Sequence, residues 1–186
     1  MTAPQRTALL LIDMQADFGA PDGAMARQGK DMTAPRGAIA KAVTLAAAAR
    51  EAGVPLFFVR LSTQAGQGDG VCVEGTRGAD FIGPLPQAGD IVVSKSRFSA
   101  FSGTGLADRL LSAGVDTVVL AGLTTECCIQ ASAWAAFELG FCVILAADAC
   151  AAYEEDLHRC ALRALELSGA SLASSADLAE RWRKYL

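Results

Sequence analysis

Histidine is almost missing from this chain: 186 residues contain one, His158. It falls mid-helix in Glu154-Glu155-Asp156-Leu157-His158-Arg159, a solvated or partly packed position. A chain with one histidine, placed there, has no obvious imidazole base to pair with a nucleophile. Aromatics are also scarce at 6%, against 52% hydrophobic residues, so alanine, valine and leucine must build the interior. A formal charge of −4 with no basic run argues against nucleic acid or an anionic membrane surface as partner. No apolar run approaches the length that spans a bilayer. Met1-Thr2-Ala3-Pro4-Gln5-Arg6 lacks the layout of a signal peptide, so a cytoplasmic protein is expected. Its six cysteines should then be mostly reduced, and their spacing suggests no disulfide framework. The length fits one domain, 1–186, with a substantial core.

What the chain does have is one stretch where a strand feeds a thiol into a helix. Val118-Val119-Leu120-Ala121 reads as a buried strand ending at Gly122, and Ile129, Ala133, Ala136 and Phe137 keep near-helical spacing up to Gly140. Cys128 therefore belongs to the first turn of that helix. Free N–H groups and the positive end of the helix dipole favour a thiolate there, and can hold an oxyanion on an attacked carbonyl. Cysteines in apolar surroundings are also common as inert core residues, and position alone leaves both readings open.

The rest of the chain alternates strand and helix. Strands are expected at Thr7–Asp13, Pro55–Arg60, Ile91–Lys95, Thr117–Ala121, Phe141–Ala147 and Ala170–Ala173. Helices are expected from Thr33 through Ala52 with Pro35 in the first turn, at Thr104–Ala113, after Cys128, at Tyr153–Leu167, and after a capping Ser175. Met14–Met32 reads as loop, and Leu61–Gly89 as a long glycine-rich segment of the kind that rims a site. Nearly all-apolar strands between helices indicate an α/β fold: a three-layer α/β/α sandwich around a mainly parallel six-stranded sheet. Ligands of such folds sit beyond the carboxyl ends of the strands. Asp13, Arg60, Lys95 and Asp148 fall at those ends, and Cys128 follows another. If the strands are neighbours, Asp13, Lys95 and Cys128 converge, a carboxylate and a lysine replacing the absent histidine.

Three stretches in this order resemble the isochorismatase-like cysteine hydrolases: Asp13-Met14-Gln15-Ala16-Asp17-Phe18, Lys95-Ser96-Arg97-Phe98-Ser99-Ala100-Phe101, and Gly122-Leu123-Thr124-Thr125-Glu126-Cys127-Cys128-Ile129. The Asp148-Ala149 pair also fits, and the resemblance covers essentially the whole chain. It implies a catalytic triad of Asp13, Lys95 and Cys128, and a cis peptide between Leu123 and Thr124 that turns the N–H groups of Thr124 and Cys128 into an oxyanion hole. Asp13 would take the thiol proton, Lys95 would hold carboxylate and thiolate, and Cys128 would attack a carbonyl. Phe18 would wall the pocket. Family nicotinamidases bind a metal through an aspartate and histidines between the first two motifs. This chain has no histidine there, so neither metal nor cofactor is expected. The helix after the nucleophile departs too, reading Ser132-Ala133-Trp134-Ala135-Ala136 where many members carry charges, and Cys127 reads as a packing residue.

Glu74-Gly75-Thr76-Arg77-Gly78-Ala79-Asp80-Phe81 with Gln87-Ala88-Gly89-Asp90-Ile91 resembles the branches acting on ureido and carbamoyl compounds. Glu74 and Arg97 are candidates for orienting a polar group, as are Arg60 and Arg77, though ion pairs or surface positions suit each as well. The expectation is a cysteine amidohydrolase that cleaves a small amide or ureido C–N bond, forms a homo-oligomer and releases ammonia. Two alternatives stay open: vinyl-ether hydrolysis of the isochorismatase type, and a non-catalytic thiol redox or binding protein on the same fold.

Overall fold

A computed structural model describes residues 6–66 and 70–184. Residues 1–5, where the signal-peptide reading fell, lie outside the described part. Six strands form one sheet in the order β3-β2-β1-β4-β5-β6, every neighbouring pair parallel. They are β1 Thr7–Ile12, β2 Leu56–Leu61, β3 Ile91–Lys95, β4 Thr117–Leu123, β5 Cys142–Ala151 and β6 Ser171–Ala173. The central strands β1 and β4 are polar only at their first residues, Thr7 and Thr117, because both faces are covered. On β1, Ala8, Leu10 and Ile12 pack to one side with Phe57, Val118, Leu120 and Ala133. Leu9 and Leu11 pack to the other with Leu45, Phe58, Val119 and Trp182.

The helices are α1 Ala16–Gly19, α2 Ala24–Arg27, α3 Thr33–Glu51, α4 Leu106–Ser112, α5 Gln130–Glu138, α6 Glu155–Leu167 and α7 Ser175–Arg183. Side chains of α3 and α7 cover one face of the sheet, and those of α4, α5 and α6 the other. This is the three-layer α/β/α sandwich expected. The chain runs outward from β1 to β2 and β3, then returns to β4 on the far side of β1. The carboxyl ends of β1 and β4 thus flank the point where the winding reverses, which is where open parallel sheets form their crevice.

Several boundaries differ from the sequence reading. Met14–Met32, read as loop, contains α1 and α2. They are too short to be stable by propensity and are held by tertiary bonds. Buried Asp17 accepts from Ala24 N at 2.9 Å and from Cys72 N at 2.8 Å. Buried Gln15 spans Leu61 and Ala79, donating to both carbonyls and accepting from Leu61 N. Strand β5 does not stop before Asp148 but continues to Ala151, its pairing with β4 shifting register after Leu120. Asp148 consequently leaves the strand ends. Its carboxylate accepts from Ser175 N at 2.6 Å and Ser175 Oγ at 2.7 Å, anchoring the start of α7. The capping side chain of α7 is Ser174, which accepts from Asp177 N at 3.0 Å, and Ser175 is the first helical residue. The helix expected from Thr104 begins at Leu106, with Thr104 Oγ1 accepting from Leu106 N.

Gly122 shows why β4 ends as it does. Its φ is +143°, and an added Cβ would lie 2.0 Å from the carbonyl oxygen of Ile12. Only glycine lets β4 approach β1 this closely beside the crevice.

Candidate active site

Three strand ends deliver three side chains to one point. Asp13 follows β1 with φ +53°, a left-handed turn that lets the chain leave the sheet. The turn is fixed by Asp13 N donating to Val59 O at 2.8 Å and by Gln15 N donating to Asp13 O at 2.9 Å. Lys95 closes the edge strand β3. It stands in phase with Val93, whose side chain joins the core layer that also holds Cys128, so period-two alternation aims Lys95 inward. Cys128 comes from the turn after β4. The first helical turn expected to hold Cys128 is instead a π-turn over Thr125–Ile129, in which Ile129 N reaches Thr124 O at 3.2 Å, and α5 begins only at Gln130. The Leu123–Thr124 peptide is cis.

Lys95 is the hub. Its Nζ lies 2.7 Å from Asp13 Oδ2, 3.4 Å from Cys128 Sγ and 3.0 Å from the Arg97 carbonyl oxygen. Both charged side chains are fully removed from solvent. Burial dominates Asp13 and raises its carboxyl above the ordinary range, opposed by the Lys95 charge and a hydrogen bond with Cys128. Burial alone would lower Lys95, but the Asp13 charge and the Cys128 sulfur reverse that and raise it. The Cys127 hydrogen bond, burial and the Asp13 charge all push the Cys128 thiol up. The resting nucleophile candidate is therefore a protonated thiol beside an ion pair.

Ser132, on the first turns of α5, ties this cluster together. Its hydroxyl donates to Cys128 O at 2.6 Å and accepts from Ala100 N at 2.9 Å, joining the π-turn to the segment after Lys95.

Two members of this cluster, Lys95 and Cys128 but not Asp13, face a cavity of about 550 Å3. Lys95, Cys128, Leu123 and Thr124 line it, and so do Phe18 and Arg97. Glu74 does not. Its carboxylate takes hydrogen bonds from Ser62 Oγ and Gln64 Nε2 on the surface. Arg60 is engaged by Ser94 Oγ at 3.0 Å, and Arg77 pairs with Asp22. His158 is half-buried on α6, and its Nδ1 lies 2.8 Å from Thr125 Oγ1. It touches the π-turn without reaching the Asp13–Lys95–Cys128 cluster. Among the described residues no group of three or more His, Cys, Asp and Glu is arranged to hold a metal ion.

Sequence reasoning passed over Tyr153, Glu126 and Met25, which also line the cavity. Tyr153 donates to Phe18 O at 2.9 Å, fastening that wall. Its signal was position: it follows the true end of β5, which the expected end at Ala147 hid.

Comparison with known proteins gives the family. The isochorismatase domain matches residues 7–177. A ureidoacrylate amidohydrolase of Methylobacterium radiotolerans is 30% identical over 88% of this chain and 74% of its own length. A maleamate amidohydrolase of Pseudomonas putida is 32% identical over 96% and 88%. A solved isochorismatase family protein from Desulfovibrio vulgaris superposes with a TM-score of 0.85 at 30% identity, covering 94% of this chain and 97% of that one. The chain belongs to the isochorismatase family.

Proposed function

We propose that this protein is a cysteine amidohydrolase that cleaves a small amide, ureido or carbamoyl C–N bond. The observation that carries the reading is the single ammonium, Lys95 Nζ, in contact with both Asp13 and Cys128 at the floor of a cavity large enough for a small substrate. Kinship with ureidoacrylate and maleamate amidohydrolases supports the same bond class.

In this reading Asp13 accepts the Cys128 proton as sulfur attacks the substrate carbonyl. Burial that raises the Asp13 carboxyl makes it a stronger base, and Lys95 stabilises the thiolate that a raised thiol would otherwise withhold. The oxyanion is held by backbone N–H groups of Thr124 and Cys128. Collapse breaks the C–N bond, and the leaving nitrogen takes the proton from Asp13 and departs as ammonia. A thioester, or carbamoyl-thioester for a ureido substrate, remains on Cys128. Water attacks it, giving a proton to Asp13, and the released sulfur recovers that proton as the product leaves.

Ammonia release from a panel of biuret, ureidoacrylate, N-carbamoyl amino acids, maleamate and nicotinamide tests the reading, with Cys128→Ala run beside the native protein. Turnover of at least one compound, abolished in the variant, is the expected result. Silence across the panel, or activity surviving the substitution, would sink it.

A further inference from the structure

Two residues before Cys128, on the same π-turn, Glu126 lines the same cavity. Its Oε2 is buried with no hydrogen-bond partner, and no Lys, Arg or His nitrogen among the described residues lies within ion-pairing distance of its carboxylate. A buried carboxylate oxygen without a donor is a costly arrangement. The cations of the cavity do not relieve it. Lys95 is committed to Asp13, and Arg97 is solvent-exposed. Three ionisable neighbours feel the Glu126 charge, Cys127, Tyr153 and His158; of these only the histidine can become a cation, and burial lowers it, so none supplies a counter-charge at neutral pH. Much of the remaining wall is apolar, through Phe18, Met25, Leu61 and Val71.

We propose that Glu126 is the specificity-determining residue of the cavity: it accepts hydrogen bonds from the N–H groups of a neutral carbamoyl or ureido substrate and repels substrates that bring a carboxylate to that wall. The inference rests on the amidohydrolase reading and narrows it. A ureido group presents several N–H donors on one planar unit, which is what an acceptor-only carboxylate lacks. A substrate carboxylate brought to that wall offers acceptors alone and adds a like charge where water is displaced. This preference differs from what the curated relatives' names suggest, since ureidoacrylate and maleamate both carry a carboxylate.

The test uses a matched pair of probes, N-carbamoylglycinamide, which is neutral, and N-carbamoylglycine, which is an anion at pH 7. Binding of each is titrated calorimetrically to the Cys128→Ala protein, where neither can turn over. The neutral probe should bind at least about tenfold more tightly. Adding Glu126→Gln, which keeps the size and removes the charge, should cut that preference to within about threefold. In the protein with Cys128 intact, Glu126→Gln should raise KM for neutral substrates and leave kcat within a few-fold, a split that a merely structural role would not give. Equal binding of the two probes, tighter binding of the anion, or binding of neither to the Cys128→Ala protein overturns the proposal without reference to the Glu126 variant. A charge preference unchanged by Glu126→Gln overturns it as well. Failure of the amidohydrolase reading would look different: no ammonia from any compound, with the binding preference intact.

Discussion

Lys95 and Asp13 meet at 2.7 Å with both side chains wholly shielded from water, although they come from strands separated in the sheet by β2. Each makes the other tolerable. Removing one leaves a bare charge in the core, and that costs about 3–5 kcal/mol. Lys95→Met should therefore destabilise the protein by that order and abolish turnover, and Asp13→Asn should do much the same. The double variant Asp13→Asn/Lys95→Met carries no buried charge and should regain most of the lost stability while remaining inactive. Denaturant unfolding of all four proteins reads this as a strongly non-additive cycle. Additive losses would mean that the pair is solvated in solution and does not act as a unit.

The direction of the Asp13 shift fixes one limb of the pH profile. In the proposed mechanism Asp13 must be ionised to accept the thiol proton, and burial raises its carboxyl. Activity should thus be present at higher pH and fall as pH drops through this raised value. The acid limb of kcat/KM should lie above the ordinary aspartate value of about 3.9. A limb at or below that value would contradict the role given to Asp13. Lys95 sets the sign for stability at the other end. Its raised value means that its contribution is complete below an unfolded lysine's pKa of about 10.4 and is lost as pH rises through the folded value.

Ser132 bonds both the Cys128 carbonyl and the Ala100 amide while fully buried. Ser132→Ala strands an N–H in the core, at a cost of about 1–3 kcal/mol. Because the hydroxyl bridges the π-turn to the Lys95 segment, the Sγ to Nζ spacing should loosen as well. The expected outcome is a lower melting temperature together with a kcat reduced by about tenfold, KM being less affected. A kcat unchanged despite the lower melting temperature would make Ser132 a packing residue only.

How far the sequence could be read depended on where the determining contacts lie. The apolar runs of β1, β2 and β4 are local signals, and so are the residues that end them. Asp13, Lys95 and Cys128 are accessible for that reason, but their convergence is not set by neighbouring strands, since β2 separates β1 from β3 and the long Lys95 side chain spans the gap. Helices α1 and α2 were not accessible, because Asp17 and Gln15 create them through bonds to Cys72, Leu61 and Ala79, dozens of residues away. Glu74 was drawn into the pocket by motif resemblance, but Ser62 and Gln64 hold it on the surface. The π-turn escapes for a different reason: π and α turns share nearly the same apolar spacing, and what separates them here is backbone bonding, Ile129 N to Thr124 O and Gln130 N to Thr125 O.

Asp148 offers a prediction in which stability and activity part company. A carboxylate next to the expected end of β5 fits a site at the strand ends, yet β5 runs on to Ala151, and the carboxylate turns to the first residue of α7 on the opposite side of the sheet from Cys128. There it satisfies the Ser175 amide, one of the unpaired donors at a helix start, and stands where the helix dipole favours a negative charge. Asp148→Ala removes both effects and should lower stability by about 1–2 kcal/mol, the range of a lost helix cap. In a domain of this size that is a fall of several degrees in melting temperature. Since Asp148 does not line the cavity, kcat and KM measured well below the melting temperature should match those of the native protein. A selective loss of kcat in a folded Asp148→Ala protein would contradict this purely structural role.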